Sequence, residues 1–254
     1  MHLHRPKPLH GWRELSVEIG VIVVGIIIAL GLEQTVEFFH HRAQREDLTE
    51  ALRKDGERNR AYIKADIGKS RAILDWALEQ ASAVQRAGPL DALTIHRLPS
   101  SYIGSPDAGV WPSARASGVS NLLPASAQNW LEYLDQINDE IFVSSACEAE
   151  QLYGAYAAFD QVIIGHATQT RSREIDLSPL DPAQRSMAME RLRAIAEHAR
   201  SVMRKLVVYD IGNEYILSTP FDRLDTPEAG QHYEEIYRKE MKAHPAAGYA
   251  FGSD

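Results

Sequence analysis

Residues 15–32 read LSVEIGVIVVGIIIALGL, an almost unbroken apolar run with one carboxylate, Glu18. At the rise of an α-helix this stretch reaches roughly 27 Å, close to the ~30 Å hydrocarbon core of a bilayer. In lipid the backbone must satisfy its own hydrogen bonds, and a Val/Ile-rich segment does so there as a helix. An N-terminal transmembrane helix is therefore predicted. The rival reading is a cleavable signal peptide, with a basic leader and a small-x-small site at Ala29-Leu30-Gly31. The run is longer than a usual signal core, and a helical pattern continues through that site, so an uncleaved anchor is expected.

The flanks set an expected orientation. Arg5, Lys7 and Arg13 precede the span, and Arg42 and Arg45 follow it. A short basic tail is hard to translocate, whereas long domains cross largely regardless of charge. The N-terminus is expected in the cytoplasm and the bulk in the periplasm, with the chain held in a bacterial inner membrane. Trp12 and Arg13 on one side, and Phe38, Phe39, His40 and His41 on the other, suit the two membrane interfaces.

Glu18, Ile22, Gly25, Ala29 and Leu32 recur at spacings of three and four and share one stripe of the helix. Small residues spaced as in Gly25-x-x-x-Ala29 let two membrane helices approach closely. That points to a homodimer or another membrane protein packed on the stripe; the plainer reading is that Gly and Ala are common in membrane helices. Glu18 sits one turn inside the basic flank, where it can snorkel or pair with Arg13, so anchoring is expected rather than a proton path.

The roughly 220 residues that follow suffice for one sizeable domain or two small ones. A net charge of −8 argues against a general nucleic-acid binder. With a single cysteine, Cys147, no intrachain disulfide or Cys-based zinc cluster can form, and an inert Cys on a helix is expected.

Taken in order, the chain divides into a tag (1–14), the transmembrane helix (15–32), a charged juxtamembrane stalk helix (33–60), a helical bundle (61–243) and a loose tail (244–254). The stalk has few large apolar positions beyond Leu48 and Leu52 and reads as a solvated helix with a narrow contact stripe. From residue 61 an amphipathic face develops through Ile63, Ile67, Ile73, Leu74, Ala77, Leu78, Ala81 and Val84, and Gly88-Pro89 stops the helix. Residues 88–123, rich in Pro, Gly and Ser, read as an irregular connection pinned by Leu98, Tyr102 and Trp111. A second long helix is expected from Pro124 to about Thr170, with Trp130, Leu134, Ile137, Ile141, Val143, Ala149, Leu152, Tyr156, Phe159, Ile163 and Ile164 inward. Asp181-Pro182 is a cap and first-turn pair that opens a third, with Met187, Leu192, Ile195, Val202, Leu206, Tyr209, Ile216 and Leu217 inward and Pro220 at its end. A short charged helix closes the body near residues 227–243. The fold class is all-α: one transmembrane helix continuing into a stalk, then an antiparallel bundle of long helices.

Glu18-Ile19, then Gly25-Ile26-x-Ile28-Ala29-Leu30, then Glu33 or Glu37, resembles a group of uncharacterised bacterial single-pass membrane proteins. Those open with a short tag and an E-I-x5-G-I-x-I-A-L span and carry a helical extracytoplasmic domain. Trp111-Pro112-Ser113-Ala114-Arg115-Ala116-Ser117-Gly118, followed by Leu122-Leu123, is similar to their second landmark. The resemblance implies that Glu18 and the 111–118 segment are signature positions; it implies no activity.

No motif for chemistry stands out. Glu37-x-x-His40 matches half of a di-metal element, but it is not repeated and lies at the lipid boundary, so no metal or other cofactor is expected. There is no Gly-x-Ser-x-Gly elbow and no phosphate-cradling glycine loop. Two readings follow. One is a non-catalytic interaction or scaffold subunit of a bacterial envelope complex. The other is an extracytoplasmic ligand-binding or sensory bundle acting through a membrane partner, because so short a tag holds no output domain. The second predicts a pocket between helices lined by Trp111, Trp130, Tyr153, Tyr156 or Tyr209, aromatics that the first leaves as plain core.

Overall fold

The computed structural model describes residues 11–91, 109–166, 168–169 and 174–247. Leu98, Tyr102, most of the tag and the end of the tail lie outside the described residues, as do the side chains of Arg13, Val143, Cys147, Ala149 and His166. The described chain is all-α in its organisation, with helices α1 (Trp12–Arg86), α2 (Val110–Ser117), α3 (Ala125–His166), α4 (Pro182–Ser218) and α5 (Pro227–Ala243). It divides into two units, Met1–Thr49 and Glu50–Asp254, and α1 contributes to both.

In the first unit α1 carries its apolar side chains outward: Ile22 is 61% exposed, Ile28 57% and Phe38 62%. The hydroxyls of Ser16 and Thr35 donate back to the carbonyls of Trp12 and Gly31, at 2.8 and 2.7 Å, so that the helix satisfies its own polar groups. Beside Gly25 an added Cβ would meet nothing within 4 Å.

The second unit is built on three long helices whose buried faces repeat every seven residues. On α4 the seam runs Ala188, Leu192, Ile195, Ala199, Val202, Leu206, Tyr209, Asn213 and Ile216, in alternating steps of four and three. On α3 it runs Ala127, Leu131, Leu134, Asn138 and Ile141, and resumes at Leu152 and Phe159. On α1 the buried positions are Leu52, Asp55, Asn59, Ile63, Asp66, Ser70, Leu74, Ala77, Gln80 and Val84. Each seam therefore contains one buried asparagine, a device that costs stability and fixes register in coiled coils.

This heptad phase corrects several expected core positions. Leu78, Ile164 and Met187 are 47, 62 and 50% exposed, because Gln80, Ile163 and Ala188 take the inward places beside them. The compact body begins at Glu50, and within residues 50–60 the buried stripe consists of Leu52, Asp55 and Asn59, two of them polar.

Direction follows from contacts. Arg60 meets Asp210 and Arg53 meets Leu217, so α4 runs antiparallel to α1. Ser218 meets His232 and Lys239 bonds Glu214, so α5 runs antiparallel to α4. Trp76 packs on Tyr156 and Phe159, while Leu52 to Asn59 share a cleft with Leu131 to Asp135, so α1 and α3 run the same way. The antiparallel order thus holds from α3 onward, and the long connection 87–124 returns the chain between α1 and α3.

The ends of the helices are mostly legible chemistry. Asp181 accepts from Gln184 N–H while the Gln184 side chain accepts from Asp181 N–H, a reciprocal capping box, with Pro182 at the first position. Thr226 caps α5, again ahead of a proline. At the end of α1 the turn comes one residue before Gly88: Ala87 takes φ +52°, its N–H donates to Val84, and Gly88 N–H donates to Ala83. Where a continuous irregular connection was expected, α2 and a 3-10 turn (Val119–Leu122) form. Beyond them sits a three-stranded antiparallel sheet of two- and three-residue strands, β1 (Pro89–Asp91), β2 (Thr168–Gln169) and β3 (Glu174–Asp176), with β3 in the middle. The second long helix therefore stops at His166, short of Thr170.

Candidate functional site

α2 explains why the 111–118 segment has the composition it has. Pro112 sits in the first turn, where its missing N–H is harmless. Trp111 and Ala114 face inward. Gly118 ends the helix at φ +77°, with its N–H on the Arg115 carbonyl, a conformation that favours glycine. Arg115 then clamps α2 to α3: Nη1 donates to Glu132 at 2.6 and 2.7 Å, and Nη2 to Asp135 at 3.0 Å.

Trp111 thereby closes one side of a cleft whose other walls come from α1, α3 and α4. Leu52, Leu131, Leu134, Ile216 and Leu217 supply its apolar lining. Asp55, Asn59, Asp135, Tyr209 and Asn213 supply polar groups. Gly56 lets α1 approach α4, since a Cβ there would stand 3.3 Å from Leu217 and 3.6 Å from the Asn213 side-chain oxygen. Asp55 is paired with Arg58 at the rim. The Asn213 amide donates to the Tyr209 carbonyl at 3.0 Å. The Trp111 indole N–H, by contrast, finds no acceptor although the residue is 6% exposed.

Burial dominates the electrostatics of the cleft. Burial pushes the Tyr209 hydroxyl up to about 12, with the carboxylates of Asp55 and Asp135 adding to the effect and the Asn213 hydrogen bond opposing it. Burial also raises Asp135, helped by Asp139 and Glu132 and only partly offset by Arg115. Tyr209 is therefore held protonated. The space measures about 40 Å³, room for on the order of three water molecules.

Of the aromatics expected at a pocket, Trp111 and Tyr209 meet here. Trp130 is half-buried in a separate cluster with Tyr133, Tyr215 and Tyr233, at ring distances of 5.8, 4.9 and 5.4 Å. Tyr156 packs on Trp76 at 5.9 Å, and Tyr153 is 54% exposed. The polar walls were not anticipated, and the heptad spacing of Asp55, Asn59 and Asn213 was the signal that could have found them.

Two other clusters carry chemistry-bearing groups. Arg60 bonds the buried Asp210 at 2.8 and 3.3 Å and Glu214 at 2.7 Å, and Lys239 reaches Glu214 at 3.2 Å, joining α1, α4 and α5. Ser218 Oγ lies 2.8 Å from His232 Nε2, but it also lies 2.7 Å from the Glu214 carbonyl. That hydroxyl is thus shared between the imidazole and a backbone carbonyl of its own helix. Glu37 faces His41, 3.9 Å away, and among the described residues no group of three His, Cys, Asp or Glu side chains converges as a metal site would.

By length and composition one described helix, α1 in its N-terminal part, is able to cross a membrane. No family model matches the chain, and no curated protein or solved structure does either.

Proposed function

We propose that the protein is a non-catalytic, single-pass membrane-anchored helical protein that serves as an interaction or scaffold subunit of a bacterial envelope complex. Its N-terminus is cytoplasmic and its body periplasmic, and the stripe of Glu18, Ile22, Gly25, Ala29 and Leu32 packs on a second copy or another membrane protein. The observation that supports this reading is the solvent demanded by each unit. From Val17 to Leu32 the large apolar side chains point outward, which suits lipid and not water. The body, in contrast, closes its own core, with Ile63, Phe159, Ile195 and Leu206 fully buried.

The test is the mass of the mature chain together with side-specific labelling. An intact N-terminus, retention in the membrane after alkaline extraction, and labelling of the body only by reagents reaching the periplasm are the expected results. A mature chain beginning after Gly31 would remove the anchor, and crosslinking in native membranes identifies the neighbours. The cleft at Trp111 and Tyr209 favours a second reading, a small-ligand sensor that signals through a membrane partner.

A further inference from the structure

We propose that the exposed stripe of α1 is one side of a parallel, left-handed coiled coil between two copies of this chain, and that its seam runs on past the apolar segment through Val36, Phe39 and Ala43. The inference rests on the anchor reading, which gives both copies the same direction. It commits the stripe to a second copy rather than to another membrane protein.

The first observation is the period. The stripe reaches Leu32 and then continues in the same alternating steps of four and three, to Val36, Phe39 and Ala43. In heptad letters Ile22, Ala29, Val36 and Ala43 hold a positions, while Gly25, Leu32 and Phe39 hold d positions. A strict seven-residue repeat drifts by about 20° per heptad around a straight helix. Kept from Ile22 to Ala43, over about 32 Å of helix, it suits a left-handed supercoil.

The second is exposure where lipid no longer covers it. Leu32, Val36 and Phe39 are 63, 69 and 61% exposed. By helical rise Phe39 stands about 10 Å beyond Leu32 and Ala43 about 16 Å, past a headgroup layer roughly 5–8 Å thick. Lipid suits the outward side chains as far as Leu32, but a phenyl ring in water gains from protein packed against it. Phe38, at the neighbouring c position, packs edge-on against Phe39 with ring centres 5.8 Å apart and shields the flank of the seam.

The third is charge. In a parallel pair each g position faces the e position five residues further along the other copy. Beyond the apolar run these pairs are Thr35 with His40 and Arg42 with Asp47, so no like charges meet and Arg42 finds a carboxylate. Within one chain Arg42 donates from Nε to Glu46 at 2.9 Å, which leaves its Nη groups for Asp47 of the second copy. An exposed pair of this kind adds little affinity and serves alignment. The seam is also bounded: Glu18 and Glu46 hold the d positions at its two ends, where two copies would set carboxylates side by side, and Leu48 is already buried within one chain.

The experiment uses the full chain in native membranes, with Cys147→Ser as background and one cysteine introduced at a time. A disulfide needs Cα atoms within about 7 Å. The a and d positions reach that distance across the seam, and the f positions, on the far side of the helix, do not. Oxidation should link Val36→Cys, Phe39→Cys and Ala43→Cys into a species of twice the chain mass, and should leave Gln34→Cys and His41→Cys unlinked. Phe39→Glu, in the otherwise unchanged chain, should turn the dimer seen by mass in mild detergent into a monomer. The coiled coil is overturned, with the anchor left standing, by equal linking at every position or by capture of a protein of different mass. It is overturned in the same way if a chain that resists alkaline extraction forms no link, as when lipid headgroups cover the stripe. Release of the chain by alkaline extraction would instead remove the anchor, and the parallel alignment with it.

Discussion

Along the single helix α1 the usual relation between polarity and burial reverses. Over residues 17–39 large apolar side chains are exposed, with Ile22, Val24 and Ile27 all above half their accessible surface. Over residues 55–80 polar side chains are buried, Asp66 at 3% and Gln80 at 1%. The first segment is stable only where apolar surface needs no cover, and the second only where every buried charge has a partner. One continuous helix is thus written for two solvents, and what changes near residue 50 is the environment rather than the secondary structure.

The sharpest way to break the body side of this contrast is to strand a buried charge. Asp210 is 2% exposed and depends on Arg60, whose hydrogen bond to Asp210 raises the guanidinium above its ordinary value. Arg60→Ala is expected to cost about 3–5 kcal/mol in denaturant unfolding, while Arg60→Met combined with Asp210→Leu should recover most of it. Full stability of the single variant would show that water reaches Asp210. On the other side, Val24→Arg places a charge at the middle of the apolar run and should cost about 2.5–3.5 kcal/mol of membrane insertion, read from the fraction resistant to alkaline extraction. Unchanged extraction would mean that the segment does not sit in lipid.

How much of this was readable follows the same division. The apolar run and the Asp181-Pro182 start are local signals, and the helices they predict are present. The buried face of α1 was only half legible, because a search for apolar periodicity skips Asp55, Asn59, Ser70 and Gln80 and then drifts out of phase, landing on Leu78. α2 was hidden by its Pro and Gly content, which marks a turn as readily as a helix start and stop. The three strands are too short to show any alternation. Of the cleft, Trp111 and Tyr209 were legible as aromatics, whereas Asp135 reads as one more surface acid until Arg115 and the docking of α2 place it. Pairing across helices is not written in the spacing of either partner.

The packing of the body sets the next effect. Gly212 faces Leu134 so closely that an added Cβ would stand 2.5 Å from a Leu134 methyl. Gly212→Ala should therefore force α3 and α4 apart at the level of the cleft and cost about 1–3 kcal/mol. Gly154→Ala, where a Cβ meets nothing, is the control and should be neutral or slightly stabilising. Equal stability of the two variants would mean that the helices do not meet at this register.

The smallest effect is a tilt in the dependence of stability on pH. Burial alone would raise the Glu214 carboxyl, but the hydrogen bond from Lys239 and the charges of Arg60 and Lys239 outweigh it and hold the group below its usual 4.5. A depressed carboxyl stabilises the fold fully above the unfolded value, and that contribution disappears as pH falls through the folded one. Asp135, raised above its usual 3.8 chiefly by burial, tilts the profile the other way: its cost grows as pH rises through its folded value. Urea midpoints measured from pH 3 to 6 should therefore climb less steeply with pH in Glu214→Gln than in the wild type, and more steeply in Asp135→Asn. If both variants ran parallel to the wild type, the charges of the body would be solvated, and the contrast along α1 would reduce to its membrane half.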